Sequence, residues 1–366
     1  MSDSHSASPA QSCRHFDVII VSDFSLPGGT TASNVEEVYA QLGAGLTTGL
    51  VPLYFNPRAK YRMNPAIQSL IDGRRVALLR HDEQAACEVM IIRHPRILQA
   101  KQEVPRITAD RIHLIVNQTP KRSYGKGGET VYEIGTCDRR VQEYFCQKPL
   151  WHPIGPQIRD TLQKNHANAL TNIRLSPSDW VNIIDVSQWR RPGRPAPHDK
   201  IRIGRHARDR FEKWPSSKRE LLAVYPDAPD YEIRILGGAD IPKRIMGGLP
   251  ANWKVAPYGA QAPRAFLQEL DVFVYYIHPN CIEGFGRVIF EAMASGVPVI
   301  VPDDYQSLFG EAATYAKPDE VREAIRILME DGDHYEKQVE RALAHVERKF
   351  GYSAHLERLS IAKEEA

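Results

Sequence analysis

The segment 282–302 reads IEGFGRVIFEAMASGVPVIVP. Glycines at 284 and 286 mark a turn, the helix formers that follow end at Gly296, and Val297-Pro298 opens a run of branched apolar residues. Turn, helix and strand in that order form one unit of a sheet built from alternating strands and helices.

Working outward from this unit, the same alternation continues. Apolar runs at Ile201–Ile203, Tyr231–Leu236, Asp271–Tyr276 and Val297–Val301 are separated by helical stretches. They predict a parallel sheet flanked by helices in the second half of the chain. At the other end, Phe16–Ser22 reads FDVIIVS, a buried strand broken by Leu26-Pro27-Gly28-Gly29. Val35, Val38, Tyr39 and Leu42 then fall at helical spacing behind the cap candidates Ser33 and Asn34. Strands at Leu50–Tyr54, Val89–Ile92 and Ile112–Val116 complete a first doubly wound lobe.

WRRPGRPAPHD at Trp189–Asp199 is too rich in Pro and Arg to continue either lobe and reads as the connector. The expected division is a loose tail at 1–15, a first lobe at 16–188, the connector at 189–199 and a second lobe at 200–345. A terminal helix at 346–366 packs back on the first lobe. From Asp319 the pattern is helical, with Val321, Ala324, Ile325 and Leu328 on one stripe.

The 366 residues suffice for two cores, and 42% hydrophobic with 25% charged residues is the composition of a globular protein. With 47 Lys and Arg against 45 Asp and Glu, the charge of +2 excludes the strong basic excess of a dedicated nucleic-acid binder, so anion binding must be local. Five cysteines, Cys13, Cys87, Cys137, Cys146 and Cys281, form no CxxC pair and no zinc-ligand spacing, which fits a reducing cytoplasm. No apolar run reaches the ~18 residues of a membrane-spanning helix, so membrane contact is peripheral at most.

Chemistry concentrates at the glycine turn. Backbone nitrogens near Gly284–Gly286 sit at a helix start, where unpaired N–H groups and the helix dipole favour phosphate. Glu283 and Glu291 bracket this turn and helix, within roughly 12 Å of each other at ~1.5 Å per helical residue. Two acids at this spacing are ordinarily surface residues. Here Glu291 lies in the apolar VIFEAMA, where a carboxylate needs hydrogen-bond partners such as ribose hydroxyls.

The segment resembles the retaining glycosyltransferases of family 4, which have the GT-B fold of two Rossmann-like lobes facing a cleft. Glu283 to Glu291 matches that family's E-x7-E element, with EGFG, EAMASG and VPVI around it. Pro27-Gly28-Gly29 resembles its glycine loop in the first lobe, and the likeness is much weaker between Asn56 and Trp189.

The resemblance implies a nucleotide-diphosphate-sugar donor in the second lobe and an acceptor hydroxyl, on a glycan, a lipid-linked sugar or a small molecule, in the first. Transfer is expected with retention, in polysaccharide or glycoconjugate synthesis, without metal or other cofactor. By matching position, Glu283 contacts the transferred sugar and Glu291 the ribose. Gly284, Phe285 and Gly286 contact sugar and phosphate through their backbone, and Gly28 and Gly29 approach the diphosphate from the other lobe.

The family's Arg and Lys after the first strand of the second lobe fall on Arg205 and Lys213, with Lys213 eight residues on instead of the usual five. Arg208 and Arg210 are its rivals for that role. Asn117 stands after Ile112–Val116 where the family commonly carries a His, and His113 within that strand reads as structural. Lys121–Gly128, KRSYGKGG, lacks P-loop spacing and reads as an acceptor-side loop. Tyr258, beyond Trp253–Ala256, is a candidate for base contact. Rival expectations are a non-catalytic nucleotide-sugar binder and a GT-B epimerase or phosphorylase. A nicotinamide dehydrogenase is disfavoured because no GxGxxG follows the first strand.

Overall fold

The computed structural model describes residues 13–59, 61–124, 128–196 and 198–364. Most of the tail, and Gly125–Gly127 of the KRSYGKGG loop, lie outside the described residues. Two all-parallel sheets carry the chain. The first contains β1 (Arg14–Ser22), β2 (Thr48–Pro52), β3 (Ala77–Leu78), β4 (Gln84–Arg93), β5 (Arg106–Val116), β6 (Leu150–Pro153) and β7 (Arg174–Leu175), ordered β3-β2-β1-β4-β5-β6-β7. The second contains β8 (Ile201–His206), β9 (Tyr231–Leu236), β10 (Trp253–Ala256), β11 (Val272–Val274), β12 (Val299–Val301) and β13 (Thr314–Tyr315), ordered β10-β9-β8-β11-β12-β13. In both, the order reverses beside the first strand, and open sheets of this kind bind ligands beyond the carboxyl ends of their strands at that point.

Those ends face each other. The loops after β1, β5 and β6 meet the loops after β11 and β12: Gly155 lies against Gly284, Asn117 against Gly284, and Gly29 against Arg287. Gln157 Nε2 donates to the Asp304 carbonyl at 2.8 Å across the same boundary. Apolar packing continues between the lobes, because Ile154 after β6, Phe285, Phe290 and Phe350 belong to one buried cluster.

The helix after β1 runs Gly29–Gly43, four residues ahead of its expected caps. Its N-cap is Gly28, whose φ of 106° suits glycine, and Ala32 N donates to the Gly28 carbonyl. Ser33 and Asn34 are therefore not caps. They lie on the buried face, where Ser33 Oγ donates to Asn182 Oδ1 at 2.6 Å and Asn34 Nδ2 to Ser22 Oγ at 3.0 Å. Periodicity located the helix, but a backbone-only cap leaves no side-chain signal.

The chain ends in two helices. Gly332–Phe350 packs on the Arg287–Ala294 helix of the second lobe, and Tyr352–Glu364 crosses to the Gly29–Gly43 helix of the first. Tyr352 Oη donates to Glu36 Oε2 at 2.7 Å, and Arg358 Nη1 to the Val181 carbonyl at 2.9 Å. Beneath this crossing, Arg93 and Glu37 form a fully buried ion pair, with Trp180 Nε1 donating to Glu37 Oε1 at 2.8 Å. Burial works to raise the Glu37 pKa, but Arg93, with His355 and Arg358, overcomes it and holds the carboxyl at about 2.

Removing one partner of a buried pair strands the other charge. Glu37→Ala should therefore lose about 3–5 kcal/mol in urea unfolding at pH 7. A depressed carboxyl pKa contributes stability above its ordinary value of 4.5 that is lost as pH falls toward 2, so the gap to wild type should narrow over that window. Equal stability of the two proteins at pH 7 would contradict the assignment.

Candidate active site

The glycine turn is placed by what it touches. A Cβ on Gly284 would lie 2.5 Å from the Asn117 carbonyl oxygen, so only glycine lets the two lobes approach here. Gly286 caps the Arg287–Ala294 helix with φ 77°. A side chain there would be strained and would meet Ile289 at 2.8 Å. The Phe285 side chain turns inward against Phe290, Phe309 and Phe350, leaving only its backbone for a ligand.

Glu283 sits at the mouth of this turn. Lys213 Nζ donates to its Oε2, and Tyr275 Oη, at the end of β11, donates to the same oxygen at 3.0 Å. Burial pushes its pKa upward, but Lys213 and the Tyr275 hydrogen bond, with weaker neighbours, together outweigh that, so the carboxyl ionises below its ordinary range. Arg208 adds a weaker pull from the loop. Arg210 is exposed and pairs with Glu212 at 3.8 Å, away from this oxygen.

Glu291 occupies the buried side of the helix. Arg287 Nε lies 2.8 Å from its Oε1 and His206 Nε2 lies 3.5 Å from its Oε2. Burial raises its pKa to about 7, more than Arg287 draws it down, with the nearby Glu36 carboxylate adding to the rise. His206 is neutral, because burial and the neighbouring arginines push it down to about 3. The pair is thus a carboxyl group near its titration point facing an uncharged imidazole.

Arg205 is placed differently from the sequence expectation of a cation at the diphosphate. It is only 1% exposed, with its guanidinium 3.6 Å from the Trp214 ring centre and near Tyr225 and Tyr275. Its Nη2 donates to the Lys213 carbonyl at 2.6 Å. Strand alternation turns it into the second lobe's core beside Ile203, so it fixes the loop that presents Lys213.

Gly28 and Gly29 lie across the boundary, with Arg287 Cδ 3.9 Å from where a Cβ on Gly29 would stand. Asn117 Oδ1 is buried without a hydrogen-bond partner among the described residues. His113 is buried within β5, its Nδ1 2.9 Å from His152 Nε2, away from the turn. Tyr258 is 60% exposed.

Three residues escaped the sequence analysis. Arg287 is the one cation on a helix whose other charged residue is Glu291, which was its signal. Glu36 meets Arg287 Nη2 at 3.7 Å from the first lobe. His94 follows β4 with φ 82°, and burial with the neighbouring Arg96 depresses its pKa to about 3. A positive φ in a non-glycine residue leaves no mark in sequence.

With this geometry in hand, residues 212–331, about a third of the chain, match the family described as glycosyl transferases group 1. The match falls within the second lobe, and the two sheets together form the GT-B fold. The match contains Lys213, Glu283 and Glu291 but not Arg205 or the first-lobe glycines. No curated protein matches the sequence.

Solved structures are similar over nearly their whole length. Sucrose-phosphate synthase from Thermosynechococcus elongatus aligns with TM-score 0.63 and 12% identity, covering 96% of this chain and 98% of that one. A mutant of TarM from S. aureus, complexed with fondaparinux, alpha-GlcNAc-glycerol and UDP, aligns with TM-score 0.64 and 10% identity, covering 93% and 98%. HepE from Anabaena, complexed with UDP-glucose, aligns with TM-score 0.58 and 12% identity, covering 96% and 100%. Identities this low establish the shared fold.

The Glu291 environment gives a pH test. A carboxyl whose folded pKa rises from 4.5 to about 7 stabilises the fold below 4.5 and loses that contribution as pH rises through 7. Glu291→Gln should therefore be more stable than wild type at pH 8, by up to about 3 kcal/mol, and no more stable at pH 4. Thermal unfolding at the two pH values checks it, and a gain at pH 4 as large as at pH 8 would refute it.

Separately, Gly284→Ala should cost about 1–3 kcal/mol by forcing its turn away from Asn117. A thermal midpoint unchanged from wild type would show that the lobes do not need this contact.

Proposed function

We propose that the protein is a retaining glycosyltransferase that moves a sugar from a nucleoside diphosphate to an acceptor hydroxyl. The observation that carries this is the pairing of two buried-edge carboxylates with cations around a glycine turn, opposite a second glycine loop from the other lobe. In this reading Glu283, beside Lys213 and Tyr275, accepts from sugar hydroxyls, and Glu291, beside Arg287, accepts from the ribose. Lys213, now on Glu283, is the cation available to the leaving diphosphate. The helix start at Gly286 adds its dipole.

In the proposed reaction the acceptor oxygen forms a bond to the anomeric carbon on the face from which the diphosphate departs. The bond from that carbon to the diphosphate oxygen breaks, and this oxygen takes the acceptor's proton. No protein carboxylate is assigned as a covalent nucleophile, so the rate derives from orientation and from stabilising charge on the departing phosphates. The cations assigned to this work are side chains, so the transfer is proposed to be metal-independent and to persist in EDTA. Similar structures carry UDP and UDP-glucose, which makes uridine donors the first to try.

Glycans, lipid-linked sugars and small alcohols are the acceptor classes proposed, in the cytoplasm or at the inner face of a membrane. Among the described residues no helix is long and apolar enough to cross a membrane, which is compatible with that placement. Asn117, where the family commonly carries a His, favours one second reading, a nucleotide-sugar binder without turnover.

Donor turnover decides between them. UDP-, GDP- and ADP-sugars incubated with the protein should yield free nucleoside diphosphate, by transfer or slow hydrolysis, and Glu283→Ala should reduce it by at least about 100-fold. Thermal stabilisation by a donor without any turnover would support the binder, and no response to any donor would remove both readings.

A further inference from the structure

Within the proposed donor site, on whose reading this rests, the geometry points to Arg287 as a donor-phosphate contact. Gly28 begins the Gly29–Gly43 helix of the first lobe and Gly286 begins the Arg287–Ala294 helix of the second. Neither helix has a side-chain cap or an acid in its first turn. Their starts meet where Arg287 Cδ stands 3.9 Å from the Cβ position of Gly29. Two positive helix ends and a guanidinium therefore share one place, an arrangement that attracts an anion.

The guanidinium is incompletely used. Arg287 is 11% exposed at its side chain and pairs with Glu291 Oε1 at 2.8 Å and, more loosely, with Glu36 Oε1 at 3.7 Å. Its Nη1 is buried without a hydrogen-bond partner among the described residues. A largely buried arginine with an idle donor is costly unless a ligand completes it, and its planar fork suits phosphate oxygens. Arg205, enclosed by Trp214, Tyr225 and Tyr275, has no such opening.

This assignment also explains the contact with Glu36. The Glu36 carboxylate, tied to Tyr352, reaches Arg287 from the first lobe where phosphate oxygens would arrive. Glu36 then acts as a weak stand-in that a diphosphate displaces.

The test compares affinities of wild type, Arg287→Gln, Arg287→Lys and Glu36→Gln for a nucleoside and its diphosphate. The probe is whichever of UDP, GDP and ADP binds wild type in calorimetry, with its parent nucleoside. Arg287→Gln should weaken diphosphate binding roughly 10-fold or more while changing nucleoside binding less than about 3-fold, and Arg287→Lys should fall between. Glu36→Gln should keep or raise diphosphate affinity. Equal losses for nucleoside and diphosphate, or a diphosphate loss in Glu36→Gln, would overturn the assignment. Failure of wild type to bind any of the three diphosphates would instead remove the donor-site reading itself.

Discussion

Everything at this site depends on one close approach: backbone against backbone, between Gly284 of the second lobe and the Asn117 carbonyl of the first. No side chain fits at that point. Because the contact brings the carboxyl ends of two parallel sheets together, loops that are far apart in sequence become walls of one cleft. Gly29 and Glu36 of the first lobe meet Arg287 of the second across this boundary. The aromatic cluster of Phe285, Phe290, Phe309 and Phe350 packs behind the turn and holds the glycine stretch from that side.

Electrostatics at the turn divide the two acids into different tasks. Glu283 shares its oxygen with Lys213 and Tyr275 and is firmly ionised. Glu291, deeper, titrates near pH 7 because desolvation exceeds what Arg287 returns. An acid raised this far by burial in a mostly apolar helix destabilises the fold above pH 7. His206 cannot relieve it, since burial keeps the imidazole neutral.

Much of this was legible in the sequence, in proportion to how local each feature is. The turn, helix and strand of 282–302 follow from glycines and apolar spacing, and the FDVIIVS strand from its continuous burial. Side-chain direction was less accessible. Arg205 looked like a cleft cation because it follows a glycine at a strand end, yet Trp214, Tyr225 and Tyr275, drawn from three later elements, enclose it. Ser33 and Asn34 looked like caps because their chemistry suits caps, while a glycine φ performed that role upstream. Arg287 and Glu36 form their contact only across the lobes, at a sequence separation that no local pattern encodes.

The most direct measurement is a crystal structure of the protein with the nucleotide sugar that it turns over, or with an unreactive analogue. The account requires ribose hydroxyls within hydrogen-bond distance of Glu291, sugar hydroxyls on Glu283, and Lys213 moved from Glu283 onto the diphosphate. A donor bound elsewhere, with Glu283 still held by Lys213 and Tyr275 and Glu291 still facing only Arg287 and His206, would contradict it.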